Sequence, residues 1–141
     1  MRALLDVNVL LALLDADHID HLTARSWLEH AIEDGWASCA ITQNGFLRVI
    51  TQPRYPSPVS AAEAMARLTQ ATRTEYHEYL PCNISILDSG IHPDRVHGSR
   101  QVTDVYLLAL AIAHGCCFVT FDRSIPLSAV NRAVPEHLVT L

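Results

Sequence analysis

The sequence predicts an α/β fold: a central parallel sheet flanked by helices. Three observations carry this. Short apolar runs that read as strands alternate with longer segments of helical spacing, the order that crossover-connected parallel strands require. Two of those runs, Ala3–Leu5 and Cys116–Phe121, are almost wholly apolar, as in strands buried on both faces, and each leads into an aspartate. The chain has 141 residues, half of them hydrophobic and 18% charged, which suits one buried core and excludes intrinsic disorder. One domain over residues 1–141 is expected, with no linker, repeat or low-complexity tract.

Ala3–Leu5 forms the first strand, ending at Asp6, and Val9–Leu14 the first helix. Asp20 is placed to cap a second helix, whose apolar positions Leu22, Trp27, Leu28, Ala31 and Ile32 recur at roughly helical spacing until Gly35 ends it. Trp36–Ile41 forms the second strand. Thr42 is placed to cap a helix through Ile50, in which Gly45 is an unfavourable interior residue. Pro53–Pro58 is a loop, and Ser60–Thr72 has a good helix-forming mix of alanine, methionine and leucine. Tyr76–Gly98 shows no decisive period and is assigned no element. Gln101–His114 is a helix stopped by Gly115, Cys116–Phe121 a buried strand leading to Asp122, and Val139–Leu141 a short edge strand.

Composition excludes several function classes. The apolar stretch after Arg2 superficially resembles a secretory leader, but Asp6 and Asn8 interrupt it and Asp15 and Asp17 close it. No segment approaches the roughly 18 apolar residues of a membrane helix, so a soluble, cytoplasmic protein is expected. Cys39, Cys82, Cys116 and Cys117 lack zinc-ribbon spacing and lie among apolar residues. They read as reduced core residues, with Cys116 and Cys117 facing opposite sides of a strand. Every basic residue is arginine, which excludes a phosphate-binding loop and Schiff-base chemistry, both of which need lysine. The net charge of −5 argues against coating nucleic acid by overall charge, but allows a local arginine patch to grip phosphates.

Three carboxylates stand at the margins of the most buried segments. From Ala3 to Leu14 the only polar groups are Asp6 and Asn8; Asp104 begins the apolar helix; Asp122 follows the last long apolar run. A buried, unpartnered carboxylate costs several kcal/mol even after relaxation, so each asks for hydrogen bonds or a cation. Parallel sheets place ligand sites beyond the carboxyl ends of their strands, where Asp6 and Asp122 fall, and Asp104 in a first helical turn can point into the same crevice. Carboxylates gathered there raise one another's pKa unless a cation neutralises them, and hard oxygen ligands favour magnesium or manganese. Phosphodiester hydrolysis is chemistry suited to that arrangement. Each acid alone also has an ordinary reading: Asp6 as a helix cap, Asp104 as a favourable charge at a helix N-terminus, Asp122 as the opening of a turn before Arg123 and Ser124.

Four blocks in order, Leu5-Asp6-Val7-Asn8-Val9-Leu10, Thr42-Gln43-Asn44-Gly45-Phe46-Leu47-Arg48, Val102-Thr103-Asp104 with its alanine- and leucine-rich helix, and Val119-Thr120-Phe121-Asp122, resemble those of PIN-domain ribonucleases. More narrowly they resemble VapC-type toxins of bacterial toxin–antitoxin pairs, over nearly the whole chain. The resemblance implies a PIN-domain-like three-layer sandwich and a magnesium-dependent endoribonuclease, with manganese as an alternative metal. It implies hydrolysis of RNA by metal-activated water without a covalent intermediate, homodimerisation, and inhibition by a cognate antitoxin whose tail occupies the active-site groove. The family's metal-binding acids map onto Asp6, Asp104 and Asp122. Thr120 resembles a hydroxyl that supports the site, and Asn8 is placed to hydrogen-bond Asp6 or the loop beside it.

One departure concerns Gln43, where many relatives carry an acid. Its amide oxygen is able to ligate a metal or a metal-bound water but supplies no charge, which leaves the number of metals open. Arg95, His97, Arg100 and Arg123 flank the two C-terminal acids as candidate phosphate contacts, with Arg48 more distant; solvated surface charge is the ordinary reading of each. The uncharged helical faces around Val9–Leu14 and Ser60–Thr72 are candidate dimer contacts. Two alternatives compete: a catalytically impaired module of the same fold that binds RNA or antitoxin, motivated by Gln43, and a haloacid dehalogenase-like phosphatase. The second fails on chemistry, because position 8 is asparagine rather than a second aspartate and the required lysine does not exist.

Overall fold

The computed structural model describes residues 1–141. Five strands, β1 (Ala3–Leu5), β2 (Trp36–Cys39), β3 (His77–Leu80), β4 (Cys117–Thr120) and β5 (Leu138–Thr140), form one sheet in the order β3-β2-β1-β4-β5. Every neighbouring pair is parallel. The chain therefore builds outward from β1 through β2 and β3, then returns to the other flank of β1 with β4 and β5. The strand order thus reverses at β1, and the region beyond the carboxyl ends of β1 and β4 is the position at which open α/β sheets bind ligands.

Alternation along the strands divides the interior into two layers. Leu4, Ala37, Cys39, Leu80 and Phe118 face helix α5 (Gln101–Ala113), whose residues Val105–Ala111 are all buried. Ala3, Leu5, Trp36 and Val119 face α1 (Val7–Leu14), α3 (Ala40–Ile50) and α4 (Ala61–Thr72), with α2 (His21–Ala31) packed outside them through Trp27 and Leu28. The predicted sandwich of a parallel sheet between helical layers is what forms. Cys116 and Cys117 fall on opposite sides, as expected of adjacent residues entering a strand. No cysteine is bridged, but Cys82 is exposed rather than a core residue, because it lies in the loop past β3.

Several element ends differ from expectation, each for a local reason. Helix α1 starts at Val7, two residues early, because the Asp6 side chain itself accepts the Val7 N–H. Strand β2 stops at Cys39 and α3 follows without a spacer. Thr42 is therefore not the cap but the third helical residue, and its hydroxyl accepts the Cys39 N–H at 3.0 Å. Asp20 makes no side-chain cap; its backbone is near-helical (φ −97°, ψ 12°) rather than extended, and its N–H donates to His18 Nδ1. Leu22 is 77% exposed, and Ala24 is the one buried residue of α2. Helix α2 ends at Ala31, followed by a 3-10 turn at Ile32–Asp34 before Gly35. Strand β3 lies where no element was assigned: it is an edge strand with Glu78 and Tyr79 exposed, so it carries little apolar signal. Within the candidate dimer face on α1, Val9–Ala12 are buried in the chain's own core, and Leu13 and Leu14 are partly exposed.

No helix is long and apolar enough to cross a membrane. Gly115 (φ 67°) ends α5 in the left-handed conformation that glycine adopts without strain. The unfavourable glycine of α3 has a packing reason: a Cβ at Gly45 would stand 2.4 Å from Val7 Cγ2. Its missing side chain lets α3 close on α1 one residue after Asp6. Gly45→Ala gains about 1 kcal/mol of helix propensity but forces an overlap with a stiff β-branched neighbour, a class of change that costs about 1–3 kcal/mol or more. A net loss of about 1–2 kcal/mol is expected in urea denaturation, and a stabilised variant would contradict the close approach of the two helices.

Candidate active site

Asp6 ends β1 and begins α1 at once. Its N–H continues the sheet ladder to the Val119 carbonyl (2.9 Å), while its own carbonyl accepts the Val9 and Leu10 N–H groups that open the helix. The side chain is only 7% exposed. One carboxylate oxygen accepts the Val7 N–H at 2.7 Å, and the other accepts the Thr120 hydroxyl at 2.6 Å. Burial still raises its pKa above the ordinary 3.8, against the lowering effect of those hydrogen bonds and with a further upward push from Asp122.

Thr120, wholly buried at the end of β4, is the junction of the site. Besides donating to Asp6, its oxygen accepts from Asn8 Nδ2 (3.1 Å) and from the Asp122 N–H (3.0 Å). Asn8 Oδ1 accepts the Phe121 N–H at 3.2 Å, so the asparagine clips α1 to the loop leaving β4. Asn8 thus hydrogen-bonds Thr120 and the loop after β4, and it contributes to lowering the Asp6 pKa. Asp122 is more open. Its Oδ1 accepts both the N–H (2.7 Å) and the hydroxyl (2.6 Å) of Ser124, which hold its pKa below 3.8. Sequence reasoning saw only a turn at Ser124; the Asp-x-Ser spacing was the available signal.

Asp104 differs from both. It is half-buried in the first turn of α5 and accepts no hydrogen bond from the chain, nor does it join any of the four ion pairs. Its pKa rises to about 6, first through burial and then through the charges of Asp6 and Asp122. The mutual repulsion shows that the structure brings the three acids into one electrostatic neighbourhood. They are not drawn into a closed ligand set: no three His, Cys, Asp or Glu side chains stand close enough to hold a metal as arranged. The donor chemistry nevertheless suits a hard divalent cation, because all three groups are carboxylates, none joins an ion pair, and Asp104 accepts no hydrogen bond from the chain.

The other candidates divide. The Gln43 amide nitrogen donates to Ser38 Oγ (3.0 Å), which is bonded to His77 Nε2 (2.8 Å) on β3. It makes no hydrogen bond to any of the three aspartates. Burial lowers the His77 pKa, with Arg2 adding to the effect, so the imidazole stays neutral beside Ser38. Arg95 donates to the Ser128 carbonyl at 2.9 Å, and Arg100 and Arg123 are exposed and free of ion pairs, as is Arg48. His97, Arg100, Gln101 and Ser124 line an open polar concavity beside the start of α5, the helix that carries Asp104.

Residues 3–131 match the model of the PIN domain. Among curated proteins the chain is 65% identical over 142 residues to Ribonuclease VapC44 of Mycobacterium tuberculosis (strain ATCC 25618 / H37Rv), covering all of both chains. It is 38% identical to Ribonuclease VapC38 of the same strain, over 99% of each chain. Among solved structures it resembles a chain in the crystal structure of VapBC2 from Rickettsia felis bound to a DNA fragment from their promoter. There the TM-score is 0.66 at 12% identity, with coverage of 100% of this chain and 98% of that one, a likeness of fold.

Because the folded chain raises the Asp104 pKa, it binds more protons than the unfolded chain between pH 3.8 and about 6. The stability associated with protonated Asp104 is fully present below that window and lost as the pH rises through about 6. In the metal-free protein, Asp104→Asn is therefore expected to stabilise by about 1–2 kcal/mol at pH 7, allowing for partial solvent screening. The gain should vanish near pH 4 in urea titrations, and a destabilised Asn variant at pH 7 would mean that the charge is already compensated.

Proposed function

The chain belongs to the PIN-domain family, among its VapC-type ribonucleases, and from that premise we propose that it is a magnesium-dependent endoribonuclease toxin that hydrolyses RNA phosphodiester bonds. The observation that carries the reading is the half-buried Asp104 carboxylate, which accepts no hydrogen bond and joins no ion pair, and whose pKa is raised by burial and by the charges of Asp6 and Asp122. Asp6, Asp104 and Asp122 would hold the cation. When bound, magnesium (or manganese) supplies Lewis-acid polarisation of the scissile phosphoryl group and acidifies the attacking water.

The chain's own residues prepare the rest. Val7 N–H and the Thr120 hydroxyl each hold one oxygen of the Asp6 carboxylate and fix its orientation. Asn8 locks Thr120 in turn, and Ser124 orients Asp122 through a single oxygen, leaving the other unengaged by the chain. Asp104 offers both oxygens, to the cation or to an incoming water. Arg100 and Arg123, exposed on either side of these acids in sequence and free of ion pairs, suit contacts to the phosphates of a bound strand, with Arg95 as a more constrained contributor. Gln43 holds Ser38 through its Nε2, which leaves its amide oxygen unengaged by the chain as a neutral donor.

A cognate antitoxin is the proposed protein partner, supported by the likeness to a chain of the VapBC2 complex. A homodimer is the proposed assembly, to which α4 offers exposed Met65 and the end of α1 offers partly exposed Leu13 and Leu14.

Purified, antitoxin-free protein should cut total cellular RNA at discrete positions when magnesium is present and not after chelation. Asp6→Asn and Asp104→Asn should each lower the rate by more than about a hundredfold, beyond the 10–100-fold typical of groups one layer out from a metal. Magnesium-independent cleavage, or full activity in both variants, would overturn the assignment. Binding of RNA without turnover under all conditions would identify an impaired module instead.

A further inference from the structure

Asp104 and Asp122 reach the crevice from different elements, α5 and the loop after β4. No backbone hydrogen bond joins residues 97–104 to residues 121–126. One side chain does. Gln101, the first residue of α5, donates from Nε2 to the Ser124 carbonyl at 3.0 Å and accepts the His97 N–H on Oε1 at 2.9 Å. Ser124 is the residue whose N–H and hydroxyl both hold Asp122. An unbroken series of hydrogen bonds therefore runs from the 97 loop through Gln101, Ser124, Asp122 and Thr120 to Asp6.

The chemistry of this link is specific. Turned over, the amide would set its NH2 against the His97 N–H and its oxygen against the Ser124 carbonyl, so only one orientation satisfies both neighbours. Glutamate lacks the donor, and an apolar side chain lacks both groups. Helix α5 does not need the link to stay in place, since Val105–Ala111 anchor it in the core. What Gln101 governs is the relation of the helix's first turn, which carries Asp104, to the exposed loop that carries Asp122. Ligands held in place before a cation arrives spare the cost of ordering them on binding.

We propose that Gln101 is a positioning residue that sets Asp104 and Asp122 in register and thereby strengthens the chain's hold on a divalent cation. This rests on Asp122 being a cation ligand, as proposed above. The test is Mn2+ binding to the purified chain, followed by the paramagnetic resonance signal of the free ion, for four proteins: native, Gln101→Met, Asp122→Asn and the double variant. Gln101→Met is expected to weaken Mn2+ binding about tenfold, within the range for outer partners of metal ligands, and to change binding little once Asp122 is already Asn. Thermal unfolding of the metal-free proteins identifies a variant that fails to fold. In that case Gln101→Asn, which keeps a donor and an acceptor on a shorter stem, takes its place in the same cycle. Equal weakening in both backgrounds, or none in the native one, would overturn the role of Gln101 while leaving Asp122 as a ligand. Native Mn2+ binding by Asp122→Asn alone would instead remove Asp122 from the ligand set, and the inference with it.

Discussion

The carboxylate of Asp6 has to be buried where β1 turns into α1, and the rest of the crevice follows from how that burial is compensated. An ionised carboxylate out of water costs several kcal/mol unless it is hydrogen-bonded on more than one side. One side is met by the Val7 N–H, which requires α1 to begin without a spacer. The other is met by the Thr120 hydroxyl, which requires β4 to lie beside β1 with the residue after Val119 in line with the Asp6 side chain. The immediate start of α1 brings Val7 against α3, and Gly45 is the residue that makes room.

Three chemically identical side chains thereby acquire three different electrostatic states. Asp122 is held by Ser124 near the surface and stays readily ionised. Asp6 is buried and partly compensated. Asp104 is half-buried, uncompensated and repelled by the other two, which brings its pKa to about 6. Burial and like charge thus leave Asp104 without compensation from the chain itself. The metal-free fold consequently holds its acids near one another without closing them into a ligand set, and the series of hydrogen bonds through Gln101 and Ser124 limits how far the more exposed acid can drift.

The parts of the fold with a strong apolar signal were legible in the residues. Ala3–Leu5 is the first strand to the residue, and α5 ends one residue before its predicted stop, because an almost wholly apolar run bounded by glycine leaves one solution. Strand β3 was not legible: His77–Leu80 lies on the sheet's edge, and its burial is confined largely to Leu80. Caps were misplaced at Asp20 and Thr42 for a related reason. A residue that caps well in isolation does so only if its backbone is extended, and the joints around β2 and α2 set that backbone from outside the local sequence.

By itself, the sequence determined the α/β class, the sheet's buried character, the placing of three carboxylates at the margins of buried segments and, through four ordered blocks, the family. Those properties reside in residue type and spacing along the chain, and they survive without coordinates. Only the tertiary structure decided that Gln43 Nε2 bonds to Ser38 and that Gln101 ties two acid-bearing elements together. Each is a choice of hydrogen-bond partner among polar side chains that are not buried neighbours in sequence. Such choices depend on which elements are brought within about 3 Å of one another, a distance that sheet order and helix packing set and that no local pattern encodes.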